Sequence, residues 1–330
     1  MNMNSILIGL LIFTACGREM KNTITISGAA QGTTYTITYL AGAYSNYREE
    51  IDSIFRAIDR SVSTYQKESV ISRVNHNETH AVDAHFIAVF NKAMEVSNQT
   101  EGFFDVTVAP LINAYGFGFT KKEKVTPNKI DSLLKQIGYK KISLENNTVA
   151  KASPEVMIDF NAIAQGYTVD ILAEFLAHQG IRDYLIELGG EVRAKGKKLD
   201  GQPWTVGIEE PEETNAEGGT LNRTIPLQDR ALATSGNYKK FYVEGGMKYT
   251  HIIDPHTGRP AKNNLLSATV IAPDCMTADA YATAFMVMGL DRAKSFLAAH
   301  RNLELSVFFM YDEQGDIKTY ISPDFPTLAR

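Results

Sequence analysis

THIIDPHTGRPAKNNLLSATVIA, residues 250–272, holds two strand signals a short distance apart. Residues 250–253 and 266–272 are rich in β-branched and apolar side chains, and the turn Asp254-Pro255-His256-Thr257-Gly258 lies between them. Strands joined by short turns do not use the helical crossovers that a purely parallel sheet requires. The stretch therefore predicts an α+β fold over a parallel α/β one.

The rest of the chain agrees with that reading. Downstream, Thr277 is placed to cap a helix that runs to Met288 before Gly289, and Asp291 to cap another with Ala293, Phe296, Leu297 and His300 on one face. Residues 305–311 read as a closing strand. Upstream, residues 33–39, 156–160, 184–188, 204–209 and 241–243 read as strands, with 156–160 buried. Ile51, Ile54, Phe55, Ile58 and Val62 follow helical spacing. A second helix follows Asp83, a third carries Ile130, Leu133, Leu134 and Ile137 and closes at Gly138, and a fourth runs over 165–179 until Gly180. No internal repeat and no Pro- or Ser-rich linker divides the chain. EEPEETNAE (209–217) reads as a solvated loop. The expectation is one compact α+β domain over 23–330, with mixed sheets and packed helices.

The 330 residues suffice for a sizeable core, and 44% apolar with 22% charged residues excludes a mainly disordered chain. With 33 basic against 38 acidic residues, the net charge of −5 provides no basic excess to hold nucleic acid. Two cysteines, Cys16 and Cys275, are too few for a disulfide framework or a cysteine-rich zinc site.

The first residues, MNMNSILIGLLIFTAC, carry an uncharged apolar run over 6–15, too short to span a membrane. It reads as a signal-peptide core, and Thr14-Ala15-Cys16 is similar to the lipobox of bacterial lipoproteins. The expected processing removes 1–15, leaves Cys16 lipidated, and makes 16–22 a tether. A buried N-terminal strand is the alternative.

Several constellations bear on chemistry. In MTADAYATAF (276–285), Asp279 and Thr283 share a helix face and offer hard oxygen donors suited to Mg²⁺. Asp279 is equally placed as an ordinary helix-dipole charge. In VMIDFNAIAQGYTVD (156–170), an apolar strand ends in Asp159 and a helix opens near Gln165-Gly166, where a helix N-terminus favours anions. The P-loop pattern GxxxxGK[ST] and the dinucleotide pattern GxGxxG are both absent. Gly189-Gly190 after a strand allows close approach of a ligand or a tight turn. His251 reads either as a general base or as a satisfied strand residue. Tyr65 and Phe103-Phe104-Asp105 read as core, or as walls for a flat heteroaromatic ring.

The order of these segments resembles the ApbE-like flavin transferases. The likeness runs through QGTTY (31–35), STYQKESVISRVN (63–75), GFFDVTVAPL (102–111), IDFNAIAQGY (158–167), LGGEVRAKG (188–196), ATSGNY (233–238), HIIDPHTGRPA (251–261) and MTADAYATA (276–284). It implies a bacterial envelope lipoprotein on the periplasmic side, held to a membrane by its lipid. The implied reaction is Mg²⁺-dependent transfer of FMN from FAD to a Thr or Ser hydroxyl of an acceptor protein, such as a subunit of a membrane electron-transfer complex, with release of AMP. Carried over by position, Ala162 through its carbonyl, Asp279 and Thr283 are the implied metal ligands. Gln31, Tyr65, Phe103, Phe104, Asp105, Asp159, Gln165 and Ile253 are the implied FAD contacts. His251 and Asp279 are the implied catalytic pair. Gln31 stands where the family usually has Met, and Gln165 where Lys is frequent. Two other readings remain open at this point: an FAD pyrophosphatase that gives FMN and AMP, and a non-catalytic flavin-binding lipoprotein.

Overall fold

The computed structural model describes residues 21–42, 45–118, 122–208, 223–237, 241–244 and 247–327. The apolar run, Cys16 and the acidic segment 209–217 lie outside them.

The chain opens with β1 (Asn22–Ala30) and β2 (Thr33–Ala41), followed by α1 (Arg48–Val62), α2 (Val70–Asn75), α3 (Ala84–Gln99), α4 (Ala109–Ala114) and α5 (Pro127–Leu134). A small hairpin, β3 (Ile142–Glu145) and β4 (Thr148–Lys151), precedes α6 (Ala164–His178). Then come β5 (Tyr184–Leu188), β6 (Glu191–Lys195), β7 (Trp204–Ile208), β8 (Arg223–Leu227) and β9 (Arg230–Gly236). The last part holds β10 (Phe241–Glu244), β11 (Met247–Thr250), β12 (Ile253–Asp254), β13 (Arg259–Pro260), β14 (Leu265–Ala272), α7 (Cys275–Met288), α8 (Leu290–Ala299), β15 (Ser306–Glu313) and β16 (Asp316–Ile321).

An 8-stranded sheet in the order β1-β2-β5-β6-β9-β14-β15-β16 forms the backbone of the domain. Each neighbouring pair runs antiparallel, as the α+β reading requires, so the fold mixes helices with sheets and not strand directions. Helices α6 and α7 lie side by side across the middle of one face, over β5, β6, β9 and β14. The β7–β8 hairpin covers the other face, where Trp204, Val206, Ile225 and Leu227 pack against Val192, Ala194, Leu232 and Phe308. Three layers result, with the largest core between sheet and helices.

The local chemistry explains most elements. In α1, Ile51, Phe55, Ile58 and Val62 form the buried stripe. Asp83 caps α3 by accepting the Phe86 N–H at 2.9 Å. Gly180, at φ 77°, ends α6 as read. Lys21 and Asn22, assigned to the tether from sequence, join the folded unit: Asn22 opens β1, and Lys21 pairs with Asp183 at 2.8 Å.

Other expectations are corrected. Residues 156–160 are no strand, although Val156, Ile158 and Phe160 are fully buried. The Asn75 side chain takes the place of a sheet neighbour, donating to the Ile158 carbonyl at 2.8 Å and accepting its N–H at 2.7 Å. The cap of α7 is Asp274, whose carboxylate accepts the Thr277 N–H at 2.8 Å; Thr277 already lies inside the helix. Gly289 precedes α8, and Asp291 sits in its first turn. Helix α5 stops at Leu134, while Gly138 donates its N–H to the Thr107 hydroxyl at 2.7 Å. The turn at 254–258 closes the short β12–β13 hairpin, and β14 belongs to the main sheet. A further strand, β16, follows β15. Among the described residues no helix is long and apolar enough to cross a membrane.

Candidate active site

One cavity of about 860 Å³ opens where the starts of α6 and β6 meet α7, β9 and the chain around 103–109 and 251–255. Its floor is set by how closely α6 approaches α7. A Cβ on Gly166 would stand 2.5 Å from the Cys275 carbonyl oxygen and 2.8 Å from the Asp279 Cβ, so only glycine permits this contact. The same approach lets the Gly166 N–H donate to Asp279 Oδ2 at 3.0 Å.

Asp279 is the only charged residue of α7, a helix buried almost all round, as its apolar sequence dictates. Burial pushes its carboxyl up to about 7; the Gly166 N–H opposes the shift and the Asp170 charge adds to it. One turn on, the Thr283 hydroxyl faces the same cavity, 3.1 Å from the Ser235 hydroxyl on β9. Asp170 of α6 ties the layers together. It accepts the N–H groups of Cys275 at 2.9 Å and Met276 at 2.8 Å, which the first turn of α7 leaves unpaired, and it pairs with Arg193 of β6 at 2.5 Å. Burial pushes its carboxyl up to about 6 against the pull of Arg193 and the two N–H groups.

Ala162 and Gln165 line the cavity at the start of α6, beside Asp159. Ile163 precedes that helix without a side-chain cap. Asp159 accepts the backbone and side-chain N–H groups of Asn161 at 2.8 and 3.2 Å; burial, the larger influence, holds its carboxyl above the usual carboxylate range. On the opposite wall, the Phe103 ring packs against the His256 ring with centroids 4.6 Å apart and under the Arg292 guanidinium at 5.0 Å. Phe104 is buried. Asp105 lines the cavity, but its carboxylate organises the loop: Oδ1 accepts the Thr107 N–H and hydroxyl at 2.8 and 2.6 Å, and Oδ2 the Tyr139 N–H at 2.8 Å. Tyr65 stands at the mouth, 74% exposed. His251 and Ile253 line the wall next to Phe117, whose ring centroid is 6.3 Å from that of His251.

The cavity thus gathers Tyr65, Phe103, Phe104, Asp105, Asp159, Ala162, Gln165, His251, Ile253, Asp279 and Thr283. Gln31 is not among its lining residues. It sits in the β1–β2 turn at φ 50°, and its amide donates to the Thr168 hydroxyl at 2.9 Å, tying the turn to α6. Sequence reasoning missed Ser235, Asn113 and Glu191 on the cavity wall. Glu191 follows the glycine pair that was singled out, and a carboxylate directly after such a turn was the available signal.

The donor chemistry suits a hard divalent ion. Asp279 offers a carboxylate, Thr283 a hydroxyl and Ala162 a carbonyl, and magnesium needs no more than one or two protein carboxylates. Among the described residues no group of three or more His, Cys, Asp or Glu side chains is placed for a metal.

A solved structure of the flavin transferase ApbE from Vibrio cholerae matches with a TM-score of 0.83 at 36% identity, covering 92% of this chain and 98% of that one. The fold is therefore that of the flavin transferases. The ApbE family model matches residues 31–308. The FAD:protein FMN transferase of V. cholerae is 36% identical over 98% of both chains, and that of Haemophilus influenzae 37% identical over 97% of this chain and 95% of its own. The chain belongs to the ApbE family.

Proposed function

We propose that this protein is an FAD:protein FMN transferase that requires a divalent cation and acts on a Thr or Ser hydroxyl of an acceptor protein. The observation that carries the reading is the meeting of Asp279 and Thr283 with an aromatic-walled cavity of about 860 Å³, which lies within the range of small-molecule and cofactor pockets. In this reading Phe103 and Ile253 contact FAD, and the uncapped start of α6 attracts its phosphates. The acceptor oxygen forms a bond to the phosphorus on the riboflavin side, the bond to the AMP oxygen breaks, and AMP leaves. His251 takes the proton from the attacking hydroxyl. Asp279, Thr283 and the Ala162 carbonyl hold the cation, and Gly166 and Asp170 fix the Asp279 side chain and the α7 backbone. Magnesium bound there supplies neutralisation of the charge that develops on the pyrophosphate.

We also propose a lipid anchor at Cys16 on the periplasmic side of a bacterial envelope membrane. The support is the apolar run over 6–15, which ends in Thr14-Ala15 directly before Cys16.

The test is to incubate residues 17–330 with FAD, Mg²⁺ and candidate acceptors, and to measure the acceptor by intact mass. The expected result is a covalent FMN increment with free AMP, lost on adding EDTA and in Asp279→Ala. An FMN increment at full rate in EDTA overturns the cation requirement.

A further inference from the structure

Glu191 is a buried acidic side chain to which the reaction above gives no work. It opens β6 directly after Gly189-Gly190, whose φ angles of 65° and 110° turn β5 back onto β6 with Leu188 opposite Glu191. Side chains then alternate along β6. Val192 and Ala194 enter the core against the β7–β8 hairpin, and Glu191 and Arg193 take the face under α6 and α7. Arg193 has Asp170 as its partner there. Glu191 is 7% exposed and lines the cavity, and among the described residues its Oε2 has no hydrogen-bond partner. The neighbouring charges are the carboxylates of Asp279 and, with a smaller influence, Glu187, and both repel it.

An unpartnered buried carboxylate oxygen carries a desolvation penalty, and a second carboxylate beside it adds repulsion. A cation between the two removes both costs. We propose that Glu191 is a further ligand residue of the divalent cation, holding it jointly with Asp279. The inference rests on the cation reading above and adds a second carboxylate to the set of Asp279, Thr283 and Ala162. Two carboxylates are within what a magnesium-type site accepts, with the remaining positions left to water and phosphate.

The experiment measures Mn²⁺ binding to the FAD-free protein from the electron paramagnetic resonance signal of the free ion, for the wild type, Glu191→Gln, Asp279→Asn and the double variant. Melting temperatures are taken in EDTA and in excess Mn²⁺. Glu191→Gln is expected to weaken Mn²⁺ binding at least tenfold, and Asp279→Asn at least as much. The double variant is expected to bind little worse than Asp279→Asn alone, because both side chains serve one ion. In EDTA, Glu191→Gln should melt at or above the wild type, since the amide removes the repulsion. Its rise on adding Mn²⁺ should be smaller than that of the wild type. Glu191→Asp, which keeps the charge but draws it back, should also weaken binding without lowering the melting temperature in EDTA; it serves where Glu191→Gln does not fold.

Wild-type affinity in Glu191→Gln, alongside loss in Asp279→Asn, overturns the role of Glu191 and leaves the cation site standing. Equal Mn²⁺ binding by the wild type and Asp279→Asn overturns the cation site and this inference together. Both Glu191 variants melting well below the wild type in EDTA would assign the side chain to the fold and overturn its role as a ligand.

Discussion

Gly166→Ala is the sharpest probe of how the site is built, because two effects of known size oppose each other. Alanine is the better helix former by up to about 1 kcal/mol, which favours the variant. Its Cβ would meet the Cys275 carbonyl oxygen at 2.5 Å and the Asp279 Cβ at 2.8 Å. The first of these is backbone and cannot swing aside, so α6 and α7 must part. Restoring an ordinary contact of about 3.5 Å requires a shift of about 1 Å. Overpacking of this kind costs about 1–3 kcal/mol, so the clash prevails and the net loss is up to about 2 kcal/mol. A loss of that size lowers the melting temperature by a few degrees, given about 2–4 °C per kcal/mol in chains of 150–250 residues. The same shift breaks the 3.0 Å bond from the Gly166 N–H to Asp279. A misplacement of about 1 Å at a reacting centre costs about 10²-fold in rate. Calorimetry and an FMN-transfer assay on the purified variant measure both. A variant that melts above the wild type and transfers FMN at the wild-type rate would refute the claim that close α6–α7 packing positions Asp279.

Two further outcomes concern the same site and a third the N-terminus. His251→Ala should lower the transfer rate by about 10²- to 10⁴-fold, the range for a lost general base, with little change in FAD affinity measured by fluorescence titration. Because burial pushes the Asp279 carboxyl up to about 7, a cation must displace a proton below that pH. Mn²⁺ affinity should therefore fall as the pH drops through about 7 and level off above it, and the fall should be shallower in Asp279→Asn. Cys16→Ser should leave the membrane fraction or remain an unprocessed precursor, as seen by fractionation and intact mass.

How far the molecule can be read from its sequence differs from element to element. Helix α1 is legible because one face is buried and the other wet, so Ile51, Phe55, Ile58 and Val62 fall at helical spacing. Helix α7 has no such period, since it is buried almost all round, and only its start and Gly289 mark it. Residues 156–160 mislead because a buried apolar run looks the same whether sheet neighbours or a side chain such as Asn75 satisfy its backbone. In the site, Asp279 and Thr283 are readable as i and i+4 on one helix. Their meeting with Phe103, Asp159 and His251 is long-range, and the order of motifs conveyed it where spacing did not. Glu191 went unseen because its significance depends on Asp279 lining the same cavity, a meeting of β6 with α7 that no local pattern records. Gln31 shows the reverse: its motif places it among the FAD contacts, while the fold ties its amide to Thr168.

Transfer to a protein hydroxyl, as opposed to water, is the central claim, and the stoichiometry of AMP to flavinylated acceptor tests it most directly. Purified protein, FAD, Mg²⁺ and an acceptor are incubated together, and AMP and covalently bound FMN are counted in the same samples. One AMP should appear for each acceptor modified, and AMP release should all but cease when the acceptor is omitted. AMP and free FMN released at an undiminished rate without an acceptor would contradict the account and make the protein an FAD pyrophosphatase.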